Sequence, residues 1–67
     1  MGLKINDTNK YNLTLDVNID YNNKKITTSV RFWDKVKHKI DEYEYDIFSQ
    51  ALDKYDEFEK IIESEEN

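Results

Sequence analysis

From Asp34 to Glu66 the chain contains neither glycine nor proline. The apolar residues Val36, Ile40, Tyr43, Ile47, Ala51, Tyr55, Phe58 and Ile62 recur there at steps of four, three, four, four, four, three and four. That spacing holds one stripe on one side of an α-helix, with Phe48, Leu52 and Ile61 beside it. A single helix over 35–64 would be ~45 Å long. The hairpin that precedes it would span only ~27 Å. A break is therefore expected at Asp41-Glu42-Tyr43-Glu44-Tyr45-Asp46, where carboxylates crowd and Asp41 or Asp46 could begin a new helix. The pattern predicts two helices, 35–44 and 46–64. Tyr43, Tyr45 and Ile47 also alternate, so a short third strand is the other reading of that segment.

Ahead of the stripe the period changes. Tyr11, Leu13, Leu15, Val17, Ile19 and Tyr21 are apolar, and Asn12, Thr14, Asp16, Asn18 and Asp20 between them are polar. This is the pattern of a half-buried strand over 11–20, and 25–33 repeats it with Ile26, Thr28, Val30 and Phe32 on one face. Asn tolerates positive φ, so Asn22-Asn23 is expected to form a two-residue turn. The register then pairs Ile19 with Ile26, Val17 with Thr28, Leu15 with Val30 and Leu13 with Phe32. The other face pairs Asp20 with Lys25 and Thr14 with Arg31, so one register satisfies both sides. Asp34 is placed to cap the first helical turn. Residues 1–9 are polar and read as loose. The fold class is α+β: an N-terminal hairpin followed by a helical half, in one small domain over 1–67.

A chain of 67 residues buries only about 60% of its unfolded surface. It has no cysteine and one histidine, which removes disulfides, thiolate sites and His-rich metal sites as staples. Self-association is the remaining device, and a homodimer is expected. An aromatic content of 13% is too high for a disordered acidic tail. No segment approaches the ~20 apolar residues of a membrane span. Met1-Gly2-Leu3-Lys4-Ile5 does not lead into an apolar run, and Asn6 stands where a myristoylation signal needs Ser or Thr. A cytoplasmic protein without membrane attachment is expected.

Several motifs fail on inspection. Asp16-Val17-Asn18-Ile19-Asp20 opens like a calcium loop, but Tyr21 replaces the bending glycine and Thr27 the bidentate glutamate. Asn6-Asp7-Thr8 and Asn12-Leu13-Thr14 match the glycosylation triplet, which is inert without secretion. His38 stands between Lys37 and Lys39 with no oriented nucleophile, and reads as a solvated helix residue. Phe48, Phe58 and most of Tyr55 are expected in the core. Trp33 lies opposite Asn12 on the polar face, either covering a helix start or sitting at an interface, where Trp is enriched. No cofactor, metal or catalytic residue is expected, and no enzyme.

The charge is uneven. Residues 1–40 carry +4, whereas Asp41 to Asn67 hold eleven acids against Lys54 and Lys60, a net −9. Like charges recur at Glu42/Asp46, Asp53/Asp56, Asp53/Glu57, Asp56/Glu59 and Glu59/Glu63. Each such pair weakens a helix by roughly 0.2–0.5 kcal/mol. Only Asp56/Lys60 has good salt-bridge spacing. On one helix these acids would give about one net charge per 4.5 Å, against ~3.4 Å for one DNA strand and ~1.7 Å for the duplex. Two such segments side by side in a dimer would reach ~2.2 Å. The partner-binding residues expected on this ground are Asp41, Glu42, Glu44, Asp46, Asp53, Asp56, Glu57, Glu59 and Glu63. They would imitate DNA charge and meet Lys and Arg that normally grip phosphates.

In size, negative charge, lack of cysteine and richness in Asn, Lys, Ile, Asp and Tyr, the chain resembles the small acidic host-takeover proteins of bacteriophages. These include inhibitors of the nucleoid protein HU from phages of Bacillus, uracil-DNA glycosylase inhibitors, and anti-restriction and anti-CRISPR proteins. The HU inhibitors stand nearest within that class. The resemblance implies a DNA-mimic inhibitor that blocks a basic nucleic-acid-binding host protein and does not itself bind nucleic acid. The other function class is a generic acidic interaction module, an adaptor or antitoxin, docking through its apolar helix stripe.

Overall fold

The computed structural model describes residues 2–66. Four strands, β1 (Gly2–Asp7), β2 (Tyr11–Asp20), β3 (Lys25–Asp34) and β4 (Lys39–Tyr45), form an antiparallel meander in that order. One helix, α1 (Phe48–Glu66), packs on one face of it. No described helix is long and apolar enough to cross a membrane.

The β2–β3 hairpin has the register read from its two faces, including Leu13–Phe32, Leu15–Val30, Thr14–Arg31 and Asp20–Lys25. Its turn differs. Asp20–Lys25 is the closing pair, so the connection is four residues long, and positive φ falls on Lys24 (53°) instead of Asn22 or Asn23. The Asp20 carboxylate accepts the Asn22 and Asn23 N–H groups at 3.1 and 3.2 Å, and the Asn23 side-chain amide at 2.9 Å. Those bonds, the Asn23 amide foremost, hold its pKa below the usual value.

The same device ends β3. Asp34 Oδ1 accepts the N–H groups of Val36 and Lys37, both at 3.0 Å, and His38 adopts φ 56° four residues on. Asp34 does cap a turn, but the chain reverses there and no helix begins. The expected helix over 35–44 is therefore replaced by a turn and β4. The alternating reading of Tyr43 and Tyr45 wins because β4 pairs residue for residue with β3, from Thr28–Tyr45 to Asp34–Lys39. His38 is an exposed turn residue. Residues expected to be loose instead form β1, closed by Thr8, whose N–H donates to the Tyr11 carbonyl at 2.8 Å.

Helix α1 starts two residues later than expected. The Ile47 carbonyl accepts the Gln50 and Ala51 N–H groups, whereas Asp46 caps nothing and pairs with Lys25. The stripe is real only over Ala51, Tyr55, Phe58 and Ile62. These four bury against Leu13, Leu15, Val30 and Phe32 from the sheet. Full burial of each Leu, Val, Ile or Phe among them contributes about 1.5–3 kcal/mol. Tyr11, Phe32 and Phe58 stack in sequence, with ring centroids 5.1 and 4.4 Å apart. Val36, Ile40, Ile47 and Phe48 are exposed, so Phe48 is not core as expected.

Candidate functional site: the acidic ridge of α1

The pleat decides where the β4 acids go. Leu13, Leu15, Val30 and Phe32 face α1, so their cross-strand partners Tyr43 and Asp41 face the same way. Glu42 and Glu44 alternate with them and stand on the open face of the sheet, away from the helix. Arg31 lies opposite Glu42 and donates to it at 3.3 Å. Asp46, just past the strand, pairs with Lys25 at 3.3 Å. The nine expected carboxylates are therefore not one row. Glu42, Glu44 and Asp46 belong to the open face, Asp41 is half-buried on the helix side of the sheet, and only Asp53, Asp56, Glu57, Glu59 and Glu63 ride on α1.

Within α1 a further division follows from Lys54. Its Nζ lies 5.0 Å from the Tyr43 ring centroid and 5.9 Å from that of Phe58, covering the β4 side of the core. From there it pairs with Glu57 Oε2 at 3.2 Å. The hydrogen bond to Glu57, more than any other cause, raises the Lys54 pKa. Glu57 is thus neutralised within the helix. Sequence reasoning missed Lys54, although its i,i+3 spacing to Glu57 was the available signal.

Asp53, Asp56, Glu59 and Glu63 remain. At steps of three, three and four they follow one ridge of the helix, ~15 Å long. Among the described residues no cation lies within 4 Å of any of them, Lys60 included. The ridge borders the core: Tyr55 beneath it has a raised pKa, from burial first and then from the negative charges of Glu59 and Asp56. On the same flank Lys4 reaches over the Tyr55 ring, 5.4 Å from its centroid.

The placement runs against helix electrostatics. The first turn of α1 has no acid and the last turn no base. Carboxylates at the C-terminal end meet the negative pole of the helix dipole, which costs about 0.3–1 kcal/mol per charge. Of the ridge only Glu63 reaches that turn; Asp53, Asp56 and Glu59 weaken the helix instead through their like-charge spacing.

The described residues contain no group of three or more His, Cys, Asp or Glu arranged to hold a metal ion. The surface clefts are shallow; one of about 230 Å³ gathers Lys10, Lys37 and Glu65 beside the C-terminal end of α1. Trp33 covers no helix start. It sits half-exposed on the open face, across from Ile40, with Lys35 Nζ 5.7 Å from its ring centroid. The apolar stripe is spent on the sheet, so docking a partner through it would require α1 to leave the core. Comparison with known proteins finds no matching family model, no matching curated protein and no matching solved structure.

Proposed function

We propose that this chain is a small acidic binding protein that blocks a basic nucleic-acid-binding host protein, such as the nucleoid protein HU, by imitating DNA charge. The imitation is confined to Asp53, Asp56, Glu59 and Glu63. What supports the reading is that these four carboxylates have no cation within 4 Å among the described residues, and that their like-charge spacing weakens the helix that carries them. One charge per ~5 Å along the ridge compares with ~3.4 Å along a DNA strand. Lys and Arg of the partner meet the ridge as they would meet phosphates, and nucleic acid itself is repelled. The chain acts as a homodimer, by binding and not by catalysis.

The test is competition. Fluorescent duplex DNA is bound to purified HU and titrated with this protein at low and high salt. Displacement is expected at low salt and should weaken steeply as salt rises. Combined reversal of Asp53, Asp56 and Glu63 to Lys should abolish it. Reversal of Glu42 and Glu44 on the opposite face should leave it intact. Displacement that survives the helix reversal, or that ignores salt, refutes the assignment.

A further inference from the structure

Two strands outrun their neighbours. β1 leaves β2 at Asp16 and β4 leaves β3 at Thr28, so the rungs Asn18–Thr27, Ile19–Ile26 and Asp20–Lys25 form a two-stranded arm, touched on its open face by the Lys25–Asp46 pair. Helix α1 begins beside the root of this arm and runs away from it. Its middle stacks on Phe32, and its end shares a cleft with Lys10 and Lys37 at the far side. The molecule is 42 Å long but only 15 Å thick, and the arm is part of that length.

The core pattern does not stop where the helix cover stops. Ile19 and Ile26 face the helix side yet are 49% and 62% exposed, and Tyr21 at the tip is 83% exposed. At the helix start Ile47 and Phe48 are 55% and 46% exposed. Ile19, Tyr21 and Ile26 line one hollow on the arm, and with the exposed Ile47 and Phe48 they leave on the order of 500 Å² in water. A standard dimer buries ~800 Å² per partner, of which about 450–520 Å² is apolar. The patch matches the apolar area of one half of such an interface. An isolated two-stranded hairpin is also marginal in water, so a covering layer is what the arm lacks.

We infer that a second copy of this chain covers the arm, about a twofold axis, with Ile19 and Ile26 at its centre. The inference rests on the self-association proposed above and gives it a place. Two sheets pack face to face ~10 Å apart, and a helix with its side chains is ~10–12 Å thick. The arm of the second copy therefore fits the layer that α1 leaves empty. In an isologous contact each isoleucine pair meets its counterpart, and each Tyr21 abuts the Ile47–Phe48 shoulder of the other copy. The arm extends ~13 Å from Val17 to Tyr21, enough for that overlap. The outer faces of both helices stay uncovered and point to opposite sides, so the pair carries two separate acidic ridges.

The experiment is sedimentation equilibrium across the micromolar range on the full chain. The wild type should be dimeric. Ile19→Thr with Ile26→Thr keeps β-branched residues in both strands while removing the apolar contact, and should be monomeric with unchanged helical circular dichroism. A wild type that stays monomeric overturns the inference. So does a Thr double variant that still associates. HU competition by the Thr variant separates the two proposals: displacement without self-association leaves the ridge standing and removes only the arm contact.

Discussion

Phe58 lies flat on Phe32, ring centroids 4.4 Å apart and planes 14° from parallel. This stack ties α1 to the centre of the sheet, with Tyr11 continuing it on one side and Tyr43 tilted against Phe58 at 5.9 Å on the other. A domain of this length has about 3–10 kcal/mol of stability in total. Removing a buried Phe costs about 3–5 kcal/mol. Phe58→Ala should therefore leave the chain largely unfolded, measured as loss of helical circular dichroism at 25 °C. Phe58→Leu, which refills most of the space, should retain the fold with a lower Tm.

Glu63 sits near the negative pole of α1, with no cation within 4 Å among the described residues. Glu63→Lys should stabilise the helix by about 0.3–1 kcal/mol, a rise of a few degrees in Tm. The same change should weaken competition with DNA for HU. Gain of stability with loss of binding is the signature of a charge kept for a partner. A fall in Tm would show that Glu63 has a structural role.

Lys35 ties the end of β3 to the β1–β2 turn. Its Nζ donates to Asp7 Oδ1 at 2.6 Å and to the Thr8 carbonyl at 2.7 Å. The Lys35 bond, then that of Asn12, lowers the Asp7 pKa. A carboxylate with a lowered folded pKa adds stability above its unfolded value of about 3.9, and loses it as pH falls through the folded value. Lys35→Ala should bring the Asp7 pKa back toward the ordinary range in an NMR titration. The Tm difference between wild type and variant should shrink as the solution is acidified through that window.

Lys24 and His38 occupy the left-handed region at φ 53° and 56°. A non-glycine residue there costs roughly 1–2 kcal/mol, against about 0.5–1 kcal/mol for the extra chain entropy of glycine. Lys24→Gly should therefore be neutral or stabilising by up to ~1 kcal/mol. Asn23→Gly removes the side-chain bond to Asp20 and gains no relief, so it should lower Tm. The reverse order in thermal melts would place the positive φ on Asn23.

The hairpin was legible because two independent patterns, apolar on one face and complementary on the other, demand the same register. The helix over 48–66 was legible from Ala51, Tyr55, Phe58 and Ile62. What misled was an accident of spacing. Val36, Ile40, Tyr43 and Ile47 extend the helical rhythm upstream, yet Val36 and Ile40 are exposed and Tyr43 belongs to a strand. A strand such as β4 is stabilised by its partner across the sheet, which no local periodicity reports. β1 is hidden for the same reason, having only Leu3 and Ile5 to mark it. The acidic site inherits the error: once β4 replaces a helix, period two sends Glu42 and Glu44 to the far side, and the continuous row reduces to the ridge on α1.

Every strand pairs only with its neighbour in the chain, and the helix closes over the strands just made. Such an order needs no long loop to be closed before pairing begins. The strand pairings are near in sequence and cost little chain entropy, whereas the packing of α1 on β2 is distant, which places such a chain between helical bundles and all-β barrels in folding rate. Each turn adds one more strand to the meander, but Leu13, Leu15, Val30 and Phe32 stay wet until Ala51, Tyr55, Phe58 and Ile62 of α1 cover them. The helix is thus both the lid that seals the sheet and the bearer of the ridge Asp53, Asp56, Glu59 and Glu63, so losing it would unseal the core and remove those carboxylates together.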